Sequence, residues 1–64
     1  MIVFIKNKES VSEHVRNQVG HLMSYKQDNK FVVKTYSSVT GFPITVLLDK
    51  NEFQKMEGEN KTDV

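Results

Sequence analysis

The amino-acid sequence predicts an α+β fold with the element order β-α-β-β-α, and three observations support this prediction. Capping boxes, which mark helix starts, occupy residues 10–13 (Ser-Val-Ser-Glu) and residues 49–52 (Asp-Lys-Asn-Glu), each after an apolar run. In such a box a short polar side chain accepts a bond from an orphan backbone N–H, and the Glu three residues later reaches back to the cap. The third observation is a segment rich in β-formers, residues 30–48, which is interrupted by a turn.

The first strand and the first helix are predicted from the apolar pattern near the start of the chain. Residues 1–6 form a buried strand, since every side chain before Lys6 is apolar. Ser10 caps a helix that runs to about residue 26 and ends at the turn-forming residues 27–29. The core-facing stripe of this helix has helical spacing and consists of Val11, Val15, Val19, Leu22 and Met23.

Residues 30–48 are predicted to form a β-hairpin. Gly41 can take the positive φ that a tight turn demands, and Pro43 suits the first position of a strand, where its missing N–H does least harm. Strand side chains alternate in direction, so the hairpin has two distinct faces. One face carries Phe31, Val33, Ile44, Val46 and Leu48. The opposite face carries Lys30, Val32, Lys34, Tyr36, Thr45 and Leu47.

A second, shorter helix is predicted after the hairpin. Asp49 caps it, and Leu48 and Phe53 form a hydrophobic staple across its first turn. Gly58 is a suitable helix stop, and residues 59–64 are predicted to be a flexible polar tail.

These elements make one small domain over residues 1–58. We number the predicted strands 1 to 3 in chain order, at residues 1–6, 30–38 and 44–48. The expected strand order is 2-3-1, and the order 1-2-3 is the alternative. Both helices pack on one face of this three-stranded sheet.

Composition narrows the class of protein. A chain of 64 residues buries only about 60% of its unfolded surface, so a disulfide, a metal or a partner chain usually adds stability. The sequence has no cysteine, which excludes disulfides and thiolate zinc sites. The net charge of +1 and a single arginine, Arg16, are unlike those of a dedicated nucleic-acid binder. Association with another chain is therefore the favoured source of added stability.

The sequence also yields an expectation about location. The opening apolar run is five residues long, which is too short for a signal peptide or a membrane helix. We therefore expect a cytoplasmic protein. The composition is rich in Lys and Asn and poor in Arg, as AT-rich coding produces, and this favours a bacterial or phage origin.

Two short helices can cover one face of a three-stranded sheet but hardly both, so the sequence predicts an open apolar face. Exposed apolar patches on small proteins usually mark interfaces. The first strand is apolar on both sides, so either Ile2 and Phe4 or Val3 and Ile5 lie on this face. The expected partner-binding residues on this face are Phe4, Lys30, Val32, Lys34, Tyr36 and Leu47. We therefore predict a non-enzymatic binding protein, of the regulator or inhibitor type, that contacts a protein partner or associates with itself as a homodimer.

Three alternatives stay open at this point. Tyr36 between lysines could stack a base of a single-stranded nucleic acid while Lys30 and Lys34 contact phosphates. The chain could instead be a subunit of a larger complex. The interface could also be a flank of the first helix, whose members are His14, Gln18, His21 and Tyr25.

No catalytic, metal or cofactor site is predicted. His14 and His21 are seven residues apart on a helix, too far to share one ion. Ser37 and Ser38 have no sequence cue for a base, and the acidic residues lie mostly at predicted helix ends or in the tail. Gly20 is unusual in the middle of a helix, where it costs about 1 kcal/mol relative to alanine, and we interpret it as tolerated.

Overall fold

A computed structural model describes residues 1–56 and shows an all-β fold, so the predicted α+β class is wrong. Five antiparallel strands form one sheet in the order β4-β3-β2-β1-β5. The elements are β1 (Ile2–Ile5), β2 (Gln18–Gln27), β3 (Lys30–Tyr36), β4 (Pro43–Leu48), the 3-10 turn η1 (Lys50–Glu52) and β5 (Phe53–Lys55). No α-helix occurs among the residues described.

The sheet curls strongly. Its two edge strands, β4 and β5, are separated in the chain only by residues 49–52, so the two edges meet at this end. The rings of Phe31 in β3 and Phe53 in β5 are 5.3 Å apart and pack edge to face. In a flat sheet three strand spacings, about 14 Å, would separate these two strands. The curled sheet therefore encloses its own core.

The core lies on the concave side, which we call the inner face. Its buried side chains are Val3, Ile5, Val33, Leu48 and Phe53 from the strands, with Val11 and Val15 from the β1–β2 loop. This loop, residues 6–17, is held by Arg16, whose Nε donates to the carbonyl of Val11 at 2.7 Å. The arginine thus folds the loop so that its two valines close the core.

The β2–β3 connection is a two-residue turn. Asp28 and Asn29 have φ angles of 53° and 66°, the left-handed pair that a type I′ hairpin requires. The pairing of β2 with β3 shifts between Leu22 and Lys26, so three residues of β2 face Val32 alone. This β-bulge bends the sheet and increases its twist.

The predicted first helix is replaced by the β1–β2 loop and β2. Ser10 caps no helix; its hydroxyl donates instead to a carboxylate oxygen of Glu52. Val11 and Val15 are buried as the stripe predicted, but Val19 lies on the opposite face and is 48% exposed. The segment holds three valines and Gly20, residue types with lower helix propensity than alanine, and pairing with both β1 and β3 prevails.

The predicted second helix is reduced to the single turn η1, followed by β5. Half of the expected capping box is present, because the Asp49 N–H donates to Oε1 of Glu52 at 2.7 Å. The next residues form β5, which pairs with the edge of β1 that β2 does not occupy. Gly58 and the tail at residues 59–64 lie outside the described residues.

The predicted hairpin over residues 30–48 is confirmed as β3 and β4. Gly41 has a φ of 79°, Pro43 begins β4, and the register pairs Val33 with Val46 on the inner face. Both predicted strand orders are wrong, because β2 lies between β1 and β3. An unrecognised strand therefore separates the two segments that the order 1-2-3 placed side by side.

Candidate functional site

The convex side of the sheet, which we call the outer face, gathers every residue predicted to bind a partner. Alternation along the strands and the cross-strand registers define its members. They are Ile2, Phe4, Val19, His21, Lys30, Val32, Lys34, Tyr36, Pro43, Thr45, Leu47 and Gln54. All strands and η1 of residues 1–56 belong to the sheet or its edge, so no second layer packs over this face.

An apolar row crosses the outer face at one end. Phe4 pairs with Val19, and Tyr36 pairs with Pro43. The register that pairs His21 with Lys34 places Val19 across from Tyr36, which completes the row. Val19 and Tyr36 are 48% and 63% exposed. The row thus presents an aliphatic and an aromatic side chain to solvent side by side.

The loop between β3 and β4, residues 37–42, follows the end of the row along the chain, and we call it the hairpin tip. Val39 and Phe42 are 69% and 72% exposed, the largest exposed fractions among the apolar side chains of residues 1–56. Phe42 directly precedes Pro43 and pairs with Ser37, so strand alternation directs it away from the side of Tyr36 and Pro43. The hairpin tip therefore carries exposed apolar side chains of its own next to the end of the row.

Hydrogen bonds of Ser37 fix the hairpin tip. Its side-chain oxygen accepts the N–H groups of Val39 and Thr40, each at 3.1 Å. Its backbone N–H donates to the carbonyl of Phe42 at 2.9 Å, and its carbonyl accepts the N–H of Gly41 at 2.8 Å. The two exposed apolar side chains are therefore held on an ordered turn, which lowers the entropy cost of binding.

The hairpin tip is also tied to the β1–β2 loop. The Ser38 N–H donates to the carbonyl of His14 at 2.7 Å, and the His14 ring lies 2.9 Å from the Ser37 hydroxyl. Gln18 donates to Thr35 Oγ1 at 3.0 Å and to the carbonyl of Tyr36. These bonds attach the end of β3 and the hairpin tip to the β1–β2 loop and to the first residue of β2.

The charged strand residues of the outer face within residues 1–56 are Lys30 and Lys34. Lys34 pairs with His21 across the strands, and no carboxylate within residues 1–56 forms an ion pair with Lys34. Lys30 donates to Asp49 at 2.9 Å, and this hydrogen bond raises the pKa of the Lys30 ammonium. No strand position on this face holds Asp or Glu among the described residues.

The predicted site residues differ in how well they can reach a partner. Lys34 and Tyr36 are exposed, whereas Phe4 and Leu47 are half-buried. Val32 is only 1% exposed, because it lies beside the β-bulge, so it supports the face without touching a partner. The role of these residues in binding stays a prediction.

Sequence reasoning missed the most exposed part of this surface. It assigned Val19 to a helix stripe and treated residues 40–43 only as a break between strands. A signal was available, since Val39 and Phe42 are apolar residues within a turn, where exposure is the rule.

The predicted helix flank does not exist, so its four members do not form one surface. His14 and Gln18 make hydrogen bonds to the end of β3, and His21 lies on the outer face. Tyr25 is 55% exposed in the β-bulge. Without a helix, the spacing of these residues no longer places their side chains on one flank.

The Ser37–His14 pair is the one arrangement that resembles catalytic chemistry. Ser37 is 5% exposed, and its oxygen accepts two backbone N–H groups, so the pair serves the turn rather than presenting a nucleophile. Within residues 1–56 no carboxylate hydrogen-bonds to His14. The same residues contain no group of three or more His, Cys, Asp or Glu that could hold a metal ion.

None of the residues described forms a helix long and apolar enough to cross a membrane. No protein-family model, curated protein or solved structure matches this chain.

Proposed function

We propose that this protein is a small, non-enzymatic binding module that acts on a protein partner as a regulator or inhibitor. Its binding surface is the apolar row of the outer face together with the hairpin tip. The observation that carries this proposal is the pair of exposed side chains Val19 and Tyr36, which lie side by side on the outer face next to the exposed Val39 and Phe42 of the hairpin tip. Exposed apolar patches on small proteins mark interaction sites.

The surface has the arrangement that protein interfaces favour. Tyr36 is an aromatic anchor, the residue type that most often carries binding energy at interfaces. Phe42 projects from a turn whose backbone is held by four hydrogen bonds of Ser37. Such a rigid anchor loses little conformational freedom when a partner binds.

The charges indicate the chemistry of the partner. Lys34 and His21 border the row, and the outer face has no acidic strand residue in the described part. A partner surface with an apolar centre and Asp or Glu at its margin would complement this arrangement. Such complementarity increases association rates and selects against basic surfaces.

A single-stranded nucleic acid is less well supported as the ligand. Tyr36 and Lys34 could serve as a stacking platform and a phosphate contact. The second expected phosphate contact, Lys30, is already bound to Asp49. One unpaired lysine beside one aromatic residue is a small electrostatic footprint for a nucleic acid.

The test is selection of ligands from a displayed library of random peptides. We expect enriched peptides to combine aromatic or aliphatic residues with Asp or Glu. Tyr36→Ala and Phe42→Ser should each weaken their binding by about tenfold or more, measured by isothermal titration. Tyr25→Ala is the matched control, because this tyrosine is similarly exposed but lies near the opposite end of the β2–β3 pair.

Two results would reject the proposal. One is selected peptides that bind wild type and the Tyr36→Ala and Phe42→Ser variants equally well. The other is binding of a thymidine oligonucleotide that weakens steeply with salt and is lost in Lys34→Gln, which would establish the nucleic-acid function instead.

A further inference from the structure

Strand β4 is an open edge of the sheet. In antiparallel pairs hydrogen-bonded residue pairs alternate with non-bonded ones. The bond from Ser37 N–H to the Phe42 carbonyl sets this alternation, so Ile44, Val46 and Leu48 direct their backbone groups toward β3. Thr45 and Leu47 therefore direct their N–H and C=O groups away from the sheet. Within residues 1–56 these outward groups have no hydrogen-bond partner.

The edge lacks the usual protection against pairing with another chain. Natural edge strands are short, charged, covered or interrupted by proline. The other edge, β5, has three residues and ends in Lys55. In contrast, β4 has six residues with the sequence PITVLL and no charge, and its proline is at the first position. The only one of these protective features in β4 is therefore the proline at its first position.

We propose that β4 pairs with β4 of a second copy of this chain, antiparallel about a two-fold axis at Thr45. The two five-stranded sheets then join into one continuous sheet. In this register Thr45 faces Thr45 of the other copy, and each Leu47 faces Pro43. The backbone groups of all these residues point away from β3 and toward the other copy, as the pairing of β4 with β3 requires.

The backbone groups of this edge complement those of an identical edge. Each Thr45 N–H donates to the opposite Thr45 carbonyl, and each Leu47 N–H donates to the opposite Pro43 carbonyl. Pro43 has no N–H, so the Leu47 carbonyl accepts nothing from it. On the inner side the register sets Ile44 beside Val46 of the other copy, and each of these is half-buried in the single chain.

Charge does not oppose this pairing. The nearest cation in each copy is Lys34, which lies opposite Thr45 in β3. Three strand spacings would separate the two Lys34 residues, about 14 Å, which exceeds the Debye length of about 8 Å at physiological salt. Lys30 is neutralised by Asp49 in its own chain. A second copy thus meets the edge without repulsion.

The expected dimer is weak and depends on concentration. One strand pair buries less surface than the roughly 1,200 Å² of a standard stable interface. We therefore expect a dissociation constant in the micromolar to millimolar range. Pairing through the edge leaves Tyr36 exposed, because Tyr36 lies in β3, and this inference does not depend on the proposed function.

The test is the mass of the protein in solution, measured by sedimentation equilibrium from dilute to concentrated samples. Wild type should approach twice the monomer mass as concentration rises. Thr45→Pro removes the central donor of the interface but no bond to β3, and proline is tolerated at edges. Thr45→Lys sets two like charges on the two-fold axis. Both variants should remain monomeric, and Thr45→Val, which keeps the N–H, should dimerise like wild type.

A second readout separates edge pairing from pairing through the outer face. Amide hydrogen exchange at Thr45 and Leu47 should slow in concentrated wild-type samples, while Tyr36→Ala should dimerise normally. The proposal is overturned by a wild type that stays monomeric at every concentration. Dimers of Thr45→Lys as strong as those of wild type, or dimers lost in Tyr36→Ala, would also overturn it.

Discussion

The side-chain oxygen of Ser37 lies 2.9 Å from Nδ1 of His14, within hydrogen-bond distance. The same oxygen accepts the N–H groups of Val39 and Thr40, which occupy both of its lone pairs. We therefore infer that the Ser37 hydroxyl is the donor to His14. The Ser37 proton is then left for His14, and Nδ1 must be the unprotonated nitrogen of the ring. The hairpin tip and the His14 tautomer are therefore linked.

Removal of the Ser37 hydroxyl should loosen the hairpin tip. We expect Ser37→Ala to lower the free energy of unfolding by about 1–3 kcal/mol, because two turn N–H groups and the His14 ring lose their partner. Urea denaturation measures this loss. Ser38→Ala is the control, since Ser38 is exposed and its side chain makes no hydrogen bond within residues 1–56. Equal stability of both variants would contradict the assigned role.

The histidine tautomers give an independent check of the same bond. At neutral pH, ¹⁵N NMR should show His14 with its proton on Nε2. His21 makes no side-chain hydrogen bond within residues 1–56 and serves as the reference for a histidine without this bond. In Ser37→Ala the His14 signals should move toward those of His21. A proton found on Nδ1 of His14 in wild type would refute the assignment.

Glu52 is a buried acid that joins three parts of the chain. It accepts the Ser10 hydroxyl from the β1–β2 loop and the Asp49 N–H, and its carbonyl accepts the N–H of Lys6. Glu52→Ala should cost about 1–3 kcal/mol, whereas Glu52→Gln, which keeps an acceptor for Asp49, should cost less. Thermal unfolding tests this order. Glu13→Ala, an exposed control, should change stability by about 0.5 kcal/mol or less.

Gly20 is required by close packing rather than merely tolerated. A Cβ at this position would lie 2.7 Å from Cγ1 of Val33 and 3.1 Å from the Lys34 carbonyl oxygen. Gly20→Ala should therefore destabilise the fold by about 1–3 kcal/mol. A double-mutant cycle with Val33→Ala should recover part of this loss, since it removes the nearest clash. A stabilised Gly20→Ala protein would restore the tolerance interpretation.

The elements that the sequence predicted correctly have strong local signals. The β3–β4 hairpin combines β-forming residues with Gly41 and Pro43, so its two faces could be assigned from the sequence. The turn at residues 27–29 was also recognisable, but it was interpreted as a helix end. Its positive φ angles at Asp28 and Asn29 instead join two strands.

The helix prediction failed because spacing was given more weight than propensity. Val11 and Val15 do face the core, but they do so from a loop that Arg16 holds in place. A pattern of apolar residues three or four apart cannot distinguish a helix from a loop followed by a strand. Long-range pairing of β2 with β1 and β3 decided the outcome.

The wrong helix prediction affected the predicted site less than it affected the predicted fold. Phe4, Lys34 and Tyr36 share the outer face because strand alternation places them there, whichever element covers the inner face. The exposure of Val19 could not be predicted without knowing that β2 is a strand. The sequence thus predicted which residues share a face but not which of them reach solvent.

The ion pair of Lys30 and Asp49 should give stability a defined pH dependence. Its hydrogen bond raises the folded-state pKa of Lys30 above the ordinary 10.5, so folding favours the protonated form. The contribution is fully present below the unfolded pKa of Lys30 and is lost as pH rises through the raised folded value. We expect the stability difference between wild type and Lys30→Gln to be constant at neutral pH and to vanish in strong alkali. High salt should reduce this stability difference at every pH, because both side chains are exposed.

Urea titrations at a series of pH values measure this difference. Lys34→Gln is the control, since Lys34 forms no ion pair within residues 1–56, and the same alkaline trend in that variant would contradict the assignment.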